Sequence, residues 1–256
     1  MNSDDNSDDW HTRYARQIAL DGWGEHGQRR LAQKSAMIVG LGGLGSPVAT
    51  YLAAAGIGHL VLNDFDTVDL SNLPRQPLHT TADLNRPKTS SAQESLQQLN
   101  PDVRYTLINE RLTPARLQQS VAQVDCIIDC SDNFGTRFAV NRAAVDTGVP
   151  LVEVAAIRNE GQMIVFRNDQ ASSPCYRCLY TEDDEETGDC RGQGVLTPLV
   201  GVMGSLAATA AINLLVRDDP QCGQLHCFDA GTLQWKSLTL TKDPQCPVCR
   251  HATHPE

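Results

Sequence analysis

Apolar positions along this chain follow two rhythms. Short unbroken runs, such as Met37-Ile38-Val39, Leu60-Val61-Leu62 and Cys126-Ile127-Ile128, alternate with longer stretches rich in helix formers, such as Tyr51-Leu52-Ala53-Ala54-Ala55. The first rhythm is that of buried strands and the second that of helices. Together they predict strands over 37–39, 60–62, 103–108, 126–130 and 151–154, with helices over 47–55, 87–99, 114–121 and 134–147 between them. Pro47, Pro87 and Pro114 suit first helical turns, and Gly56, Asn100-Pro101 and Gly148 suit stops. This β-α alternation implies an α/β fold, a Rossmann-like, doubly wound and mainly parallel sheet with right-handed crossovers. Past Glu153 the rhythm changes. Strands over 161–166, 225–228 and 235–240 extend the sheet, an acidic coil-rich loop spans 181–194, and a long apolar helix covers 199–216. Ahead of the first strand, helices are expected over 12–20 and 27–34, separated by Gly22 and Gly24.

Residues 199–216 are long enough for a membrane span, but Gly201, Ser205, Thr209 and Asn213 recur every four residues as a small, polar stripe. That pattern predicts a buried, tightly packed helix. The opening MNSDDNSDDW has neither a basic nor an apolar region, so it reads as a disordered acidic arm over 1–9 and not as a secretion signal. Residues 10–256 read as a single domain in a cytoplasmic protein. A formal net charge of −10 argues against nucleic acid or an anionic membrane as partner, so clustered Arg and Lys side chains are meant for a small anion.

The chemistry begins where the first strand empties into Gly40-Leu41-Gly42-Gly43-Leu44-Gly45, a Gly-x-Gly-x-x-Gly spacing that opens a helix. Glycines there let the backbone turn tightly and bring amides and a helix N-terminus against a phosphate. Asp64, just past the second strand, is placed to accept ribose hydroxyls. On its own this fingerprint favours a dehydrogenase using NAD. Asn72, Arg75, Gln76 and Lys88 follow closely, and cations and amides on that scale suggest a triphosphate. Asp132 and Asn133 sit at the end of the 126–130 strand, where such sheets bind ligands. Asp132 reads either as a Mg²⁺ ligand against the phosphates or as a cap on the following helix.

The nine cysteines are not alike. Cys175-x-x-Cys178 and Cys246-x-x-Cys249 can supply the four thiolates of a structural Zn²⁺ site. Cys190, flanked by Gly188, Arg191 and Gly192, reads either as an accessible, activated thiol or as an incidental one. Arg13, Arg16 and Gln17 share a helix face that composition alone would leave to solvent.

Taken together, RYARQ at 13–17, GLGGLGSP at 40–47, DFDTVDLSNLPRQ at 64–76, RPK at 86–88, DCSDN at 129–133, the two cysteine pairs and CRGQGV from Cys190 resemble one family. The chain is similar, from Arg13 to Cys249, to the adenylyltransferases that activate ubiquitin-like sulfur carriers, relatives of ubiquitin-activating enzyme. The resemblance implies a homodimer in which Gly43, Asp64, Ser71, Asn72, Leu73, Arg75, Gln76, Lys88 and Asn133 bind ATP and Asp132 serves Mg²⁺ and catalysis. Arg16 would reach into the partner's site, and Cys190 falls where these enzymes place a conduit cysteine. The implied substrate is the C-terminal Gly-Gly of a sulfur carrier, with a sulfur donor such as a cysteine desulfurase or rhodanese acting next. The molybdopterin branch is favoured over the thiamine branch, although CRGQGVLTPLVGVMG is similar to the latter. Pro74 departs from the family's loop only in backbone stiffness. An NAD-dependent oxidoreductase leaves Arg16, Arg75 and Lys88 without a role, and a non-catalytic nucleotide sensor leaves Asp132 and Arg75 unexplained.

Overall fold

The computed structural model describes residues 3–181, 194–217 and 222–250, with side chains from Asp9 onward. Eight strands form one sheet in the order β3-β2-β1-β4-β5-β6-β7-β8. They are β1 Ser35–Val39, β2 His59–Asn63, β3 Arg104–Ile108, β4 Cys126–Asp129, β5 Leu151–Ile157, β6 Glu160–Phe166, β7 Gln224–Asp229 and β8 Gln234–Thr239. The pairs from β3 to β5 are parallel and those from β5 to β8 antiparallel. The expected parallel sheet with added strands is therefore the observed one.

Side-chain alternation makes two cores. Ala36, Ile38, Leu60, Leu62, Cys126 and Ile128 face one way, against α2 Gly24–Leu31, α3 Gly45–Ala55, α4 Lys88–Leu99 and α7 Thr197–Val216. Met37, Val39, Val61, Ile127 and Leu151 face the other way, against α5 Pro114–Val121 and α6 Phe134–Thr147. Strands covered on both faces must be apolar throughout, which is why they read as unbroken runs.

Two local expectations change, and the structure adds which face of α7 packs. One helix, α1 Ser3–Ile18, carries through the stretch read as an acidic arm. Its Tyr14 ring lies where a Cβ on Gly56 would be, at 2.6 Å, and Gly56 closes α3 at φ 88. The second helix begins at Gly24, ahead of the expected 27. In α7 the packed face is not the small polar stripe. Met203, Gly204, Ala207, Ala208 and Ala211 are buried, and a Cβ on Gly204 would meet Pro47 at 2.4 Å, whereas a Cβ on Gly201 would meet nothing. Close approach of two helices selects the small residue at the crossing, and the recurring stripe lies a quarter-turn away from it.

Candidate functional site

β1 lies between β2 and β4, so the chain reverses direction of travel across the sheet there, and a crevice opens at the strands' carboxyl ends. An open cavity of about 740 Å³ occupies it. The glycine loop forms its floor. Gly40 has φ 88, a backbone region that side chains disfavour, and a Cβ on Gly45 would sit 1.9 Å from the Gly40 carbonyl oxygen. A Cβ on Gly43 would meet Val200 at 3.1 Å and the Arg75 carbonyl at 3.3 Å. Ser46 N–H is bonded to the Gly42 carbonyl at 2.9 Å and Pro47 has no N–H, so the backbone that faces the cavity ahead of α3 is that of Gly42, Gly43 and Leu44.

Asp64 ties this floor to β2. Its Oδ2 accepts the Leu41 N–H at 2.8 Å and its Oδ1 accepts the Asp66 N–H at 2.8 Å. Asp64 also lines the cavity. Lys88, buried at the start of α4, has Nζ 3.3 Å from Asp66 and 3.9 Å from Asp64. The loop after β2 is folded by its own side chains, with Asp69 accepting from Ser71 and Arg75 Nη1 donating to the Ser71 carbonyl at 2.9 Å. His79 braces the same region, its rings' nitrogens 2.9 Å from Ser91 Oγ and 3.2 Å from the Leu41 carbonyl. Burial lowers the His79 pKa, which favours the neutral ring.

Asp132 and Asn133 divide the two tasks left open in the sequence. Asn133 caps α6, its side chain accepting the Thr136 N–H at 2.9 Å. Asp132 caps nothing. Its exposed carboxylate receives only a 3.3 Å contact from the Asn133 amide and lines the cavity. An exposed carboxylate on the wall of this cavity is a suitable Mg²⁺ ligand.

Gly43, Asp64, Asn72, Arg75, Gln76, Lys88, Asp132 and Asn133 thus line one cavity. Ser71 and Leu73 shape its loop without lining it, and exposed Arg16 is not among the lining residues of its own chain. Cys190 lies outside the described residues. Sequence reasoning missed Phe65 and Arg111, whose guanidinium sits 4.3 Å from the Phe65 ring centroid at the cavity wall, and Arg137. Arg111 and Arg137 lie outside the motifs, in the segments that follow β3 and β4, so only a search for basic residues shortly after each strand could have raised them.

The four paired cysteines meet on the far side of α6. All their sulfurs lie within 4.8 Å of one another, with Cys175–Cys246 at 3.7 Å and Cys178–Cys249 at 3.5 Å. A tetrahedron with Zn–S bonds of about 2.3 Å has edges of about 3.8 Å, so the donor set fits zinc. Backbone and side-chain donors surround it: Asp243 N–H points at Cys178 Sγ at 3.5 Å and Asn141 Nδ2 at Cys175 Sγ at 3.7 Å. Such N–H···S contacts orient ligands and spread thiolate charge.

A model of the ThiF family matches residues 14–248. The sulfur carrier protein ThiS adenylyltransferase of Escherichia coli (strain K12) is 46% identical over 237 residues, covering 93% of this chain and 94% of that protein. Molybdopterin-synthase adenylyltransferase of the same organism is 44% identical over 244 residues, covering 95% and 98%. Among solved structures, Escherichia coli MccB with ATP superposes with a TM-score of 0.82 at 22% identity, covering 93% of this chain and 73% of that one, a likeness of fold.

Proposed function

The chain belongs to the ThiF family, and on that premise we propose that it uses ATP to adenylylate the C-terminal glycine carboxylate of a ubiquitin-like sulfur carrier. The observation that carries this reading is the convergence, in one cavity, of a glycine loop, Asp64, Arg75, Lys88 and an uncommitted Asp132. A terminal carboxylate is already ionised near neutral pH, so its attack on the α-phosphate needs no general base. What it needs is alignment and charge stabilisation. Asp64 orients the ribose, the backbone of the glycine loop at Gly42, Gly43 and Leu44 holds phosphate oxygens, and Arg75 and Lys88 balance the charge that builds on the departing pyrophosphate. Asp132 is the residue that would hold Mg²⁺, which supplies further neutralisation when bound. For Lys88 and Arg75 to reach phosphate, each must exchange its present partner, Asp66 or the Ser71 carbonyl, for the nucleotide.

Arg16, exposed on α1 and not among the residues lining its own chain's cavity, acts at the partner's site in a homodimer. Cys175, Cys178, Cys246 and Cys249 hold one structural zinc. Cys190 acts after adenylylation, when a sulfur donor converts the acyl-adenylate to a thiocarboxylate. The favoured carrier is the molybdopterin-synthase small subunit, with the thiamine-pathway carrier as the alternative.

The test is a comparison of kcat/KM for adenylate formation with each purified carrier. The molybdopterin carrier is expected to lead by at least about tenfold, which corresponds to ~1.4 kcal/mol of selective recognition. The reverse order would assign the enzyme to the thiamine carrier.

A further inference from the structure

β4 and β5 pair with Asp129 directly beside Glu153. Strand parity puts both on the α6 side of the sheet, in line with Ile127 and Leu151. Both carboxyls are buried, at 0% and 4% exposure, and one buried cation faces them, Arg137 of α6. Its Nε lies 3.3 Å from Glu153 Oε1. The guanidinium spends its hydrogen bonds elsewhere: Nε and Nη2 donate to the Ser131 carbonyl at 3.3 and 2.8 Å. On the other side of the same residue, Asp129 Oδ1 accepts the Ser131 N–H at 2.9 Å. Ser131 is therefore gripped at both its N–H and its C=O, and the next residue is Asp132.

Stability alone does not account for this arrangement. Apolar residues of the same volume would do as well or better in a dry interior, because desolvating three ionisable groups offsets what their attraction contributes. The turn into α6 is already capped by Asn133. What the cluster adds is a fixed backbone immediately ahead of the cavity's free carboxylate.

We infer that Arg137, backed by Asp129 and Glu153, is a positioning residue for adenylylation, holding the Ser131 carbonyl so that Asp132 is aimed at the reacting phosphates. The inference rests on the reading of Asp132 as the residue that serves the phosphates. Arg137 also lines the cavity wall, but its Nε and Nη2 donate to the Ser131 carbonyl, and it is through that carbonyl that it acts on Asp132.

The experiment is steady-state, carrier-dependent ATP–pyrophosphate exchange by the full-length Arg137→Met, Arg137→Lys and Asp132→Ala variants. Folded sites are counted by binding of a non-hydrolysable ATP analogue. Misplacing a reacting group by about an ångström can cost on the order of 100-fold in rate. Arg137→Met is expected to lose about 10- to 100-fold in kcat per folded site with KM for ATP changed less than about twofold, and Arg137→Lys, which can still reach the carbonyl with one donor, to recover part of the loss. If Arg137→Met does not fold, Asp129→Asn, which weakens the other half of the grip, is expected to show the same fall in kcat without a matching rise in KM. Wild-type kcat per site in the Arg137 variants beside an inactive Asp132→Ala would overturn the inference alone, as would a loss confined to the number of folded sites. Full exchange by Asp132→Ala would remove the reading beneath it and the inference together.

Discussion

The two halves of the sheet solve different problems. From β3 to β5 the strands are parallel and sandwiched between helices, with most side chains of β1, β2 and β4 buried. This half is held by burial, and its polar residues collect at the strand ends, where they face the cavity. From β6 to β8 the strands are antiparallel and the cover thins. β8 is exposed along its whole length, and Trp235 stacks on the Phe228 ring at 4.4 Å. A half-covered edge lacks apolar burial, and the cysteine cluster joins the loop after β6 to the segment after β8. A metal held by these four thiolates would crosslink the two segments there, in place of a second core layer. Chemistry and cohesion are therefore separable, and variants should affect one without the other.

The sharpest way to break this comparison is Asp132→Ala or Arg75→Ala. Each removes a charge that lines the cavity, from the exposed Asp132 or the half-buried Arg75. Pyrophosphate exchange should fall by on the order of 100-fold or more, while the melting temperature stays within about 2 °C of wild type, as for a surface change of about 0.5 kcal/mol. A drop in stability comparable to that of a core variant would mean that the site and scaffold are not separable.

Cys246→Ser should do the opposite. Metal analysis of reduced wild-type protein is expected to find one zinc per chain, and the variant to lose it. A loss of about 4 kcal/mol would lower the melting temperature by roughly 8–16 °C, with hydrogen exchange accelerating first in β7 and β8. Exchange activity per folded molecule should remain within about threefold of wild type. Protein free of zinc with unchanged thermal stability would contradict the crosslinking role.

A smaller effect is expected where the halves meet, at Glu153 on β5. Burial pushes its carboxyl well above the usual range, the neighbouring Asp129 adds to the rise, and Arg137 opposes it. Tyr176, Tyr180 and Cys130 also face this cluster. A raised acid keeps its proton in the folded state while the unfolded chain has released it. The wild type therefore loses stability as pH rises from the ordinary glutamate value toward the raised one, by up to about 1.4 kcal/mol per pH unit. Glu153→Gln cannot titrate, so its melting temperature relative to wild type should climb between pH 5 and 8, by at least about 3 °C. Parallel curves for the two proteins would show that Glu153 ionises normally.

Much of this was legible in the chain. The parallel half could be read because each feature is local: a strand, a glycine turn and a helix start occupy consecutive residues from Met37 to Ala55. The cysteine cluster was legible for the same reason, since each x-x spacing is local and only the joining of the pairs is not. The course of α1 was misread because an acidic, polar stretch looks the same on a solvated helix as in a coil, and the packed face of α7 was not legible because patterning identifies a small-residue row without saying which row meets a neighbour. The Asp129–Glu153–Arg137 cluster was invisible, since its members come from two strands and a helix that meet only in the folded sheet. Asp132 and Asn133 were ambiguous because either side chain can cap a helix, and only the 2.9 Å bond to Thr136 assigns that task to Asn133.

The central claim is that this cavity activates a protein tail. The most direct test is carrier-dependent ATP–pyrophosphate exchange by the wild-type enzyme, measured with an intact carrier and with the same carrier lacking its terminal Gly-Gly. The account predicts exchange with the intact carrier and a fall to background with the truncated one. Exchange that persists with the truncated carrier, or proceeds with no carrier at all, would contradict it.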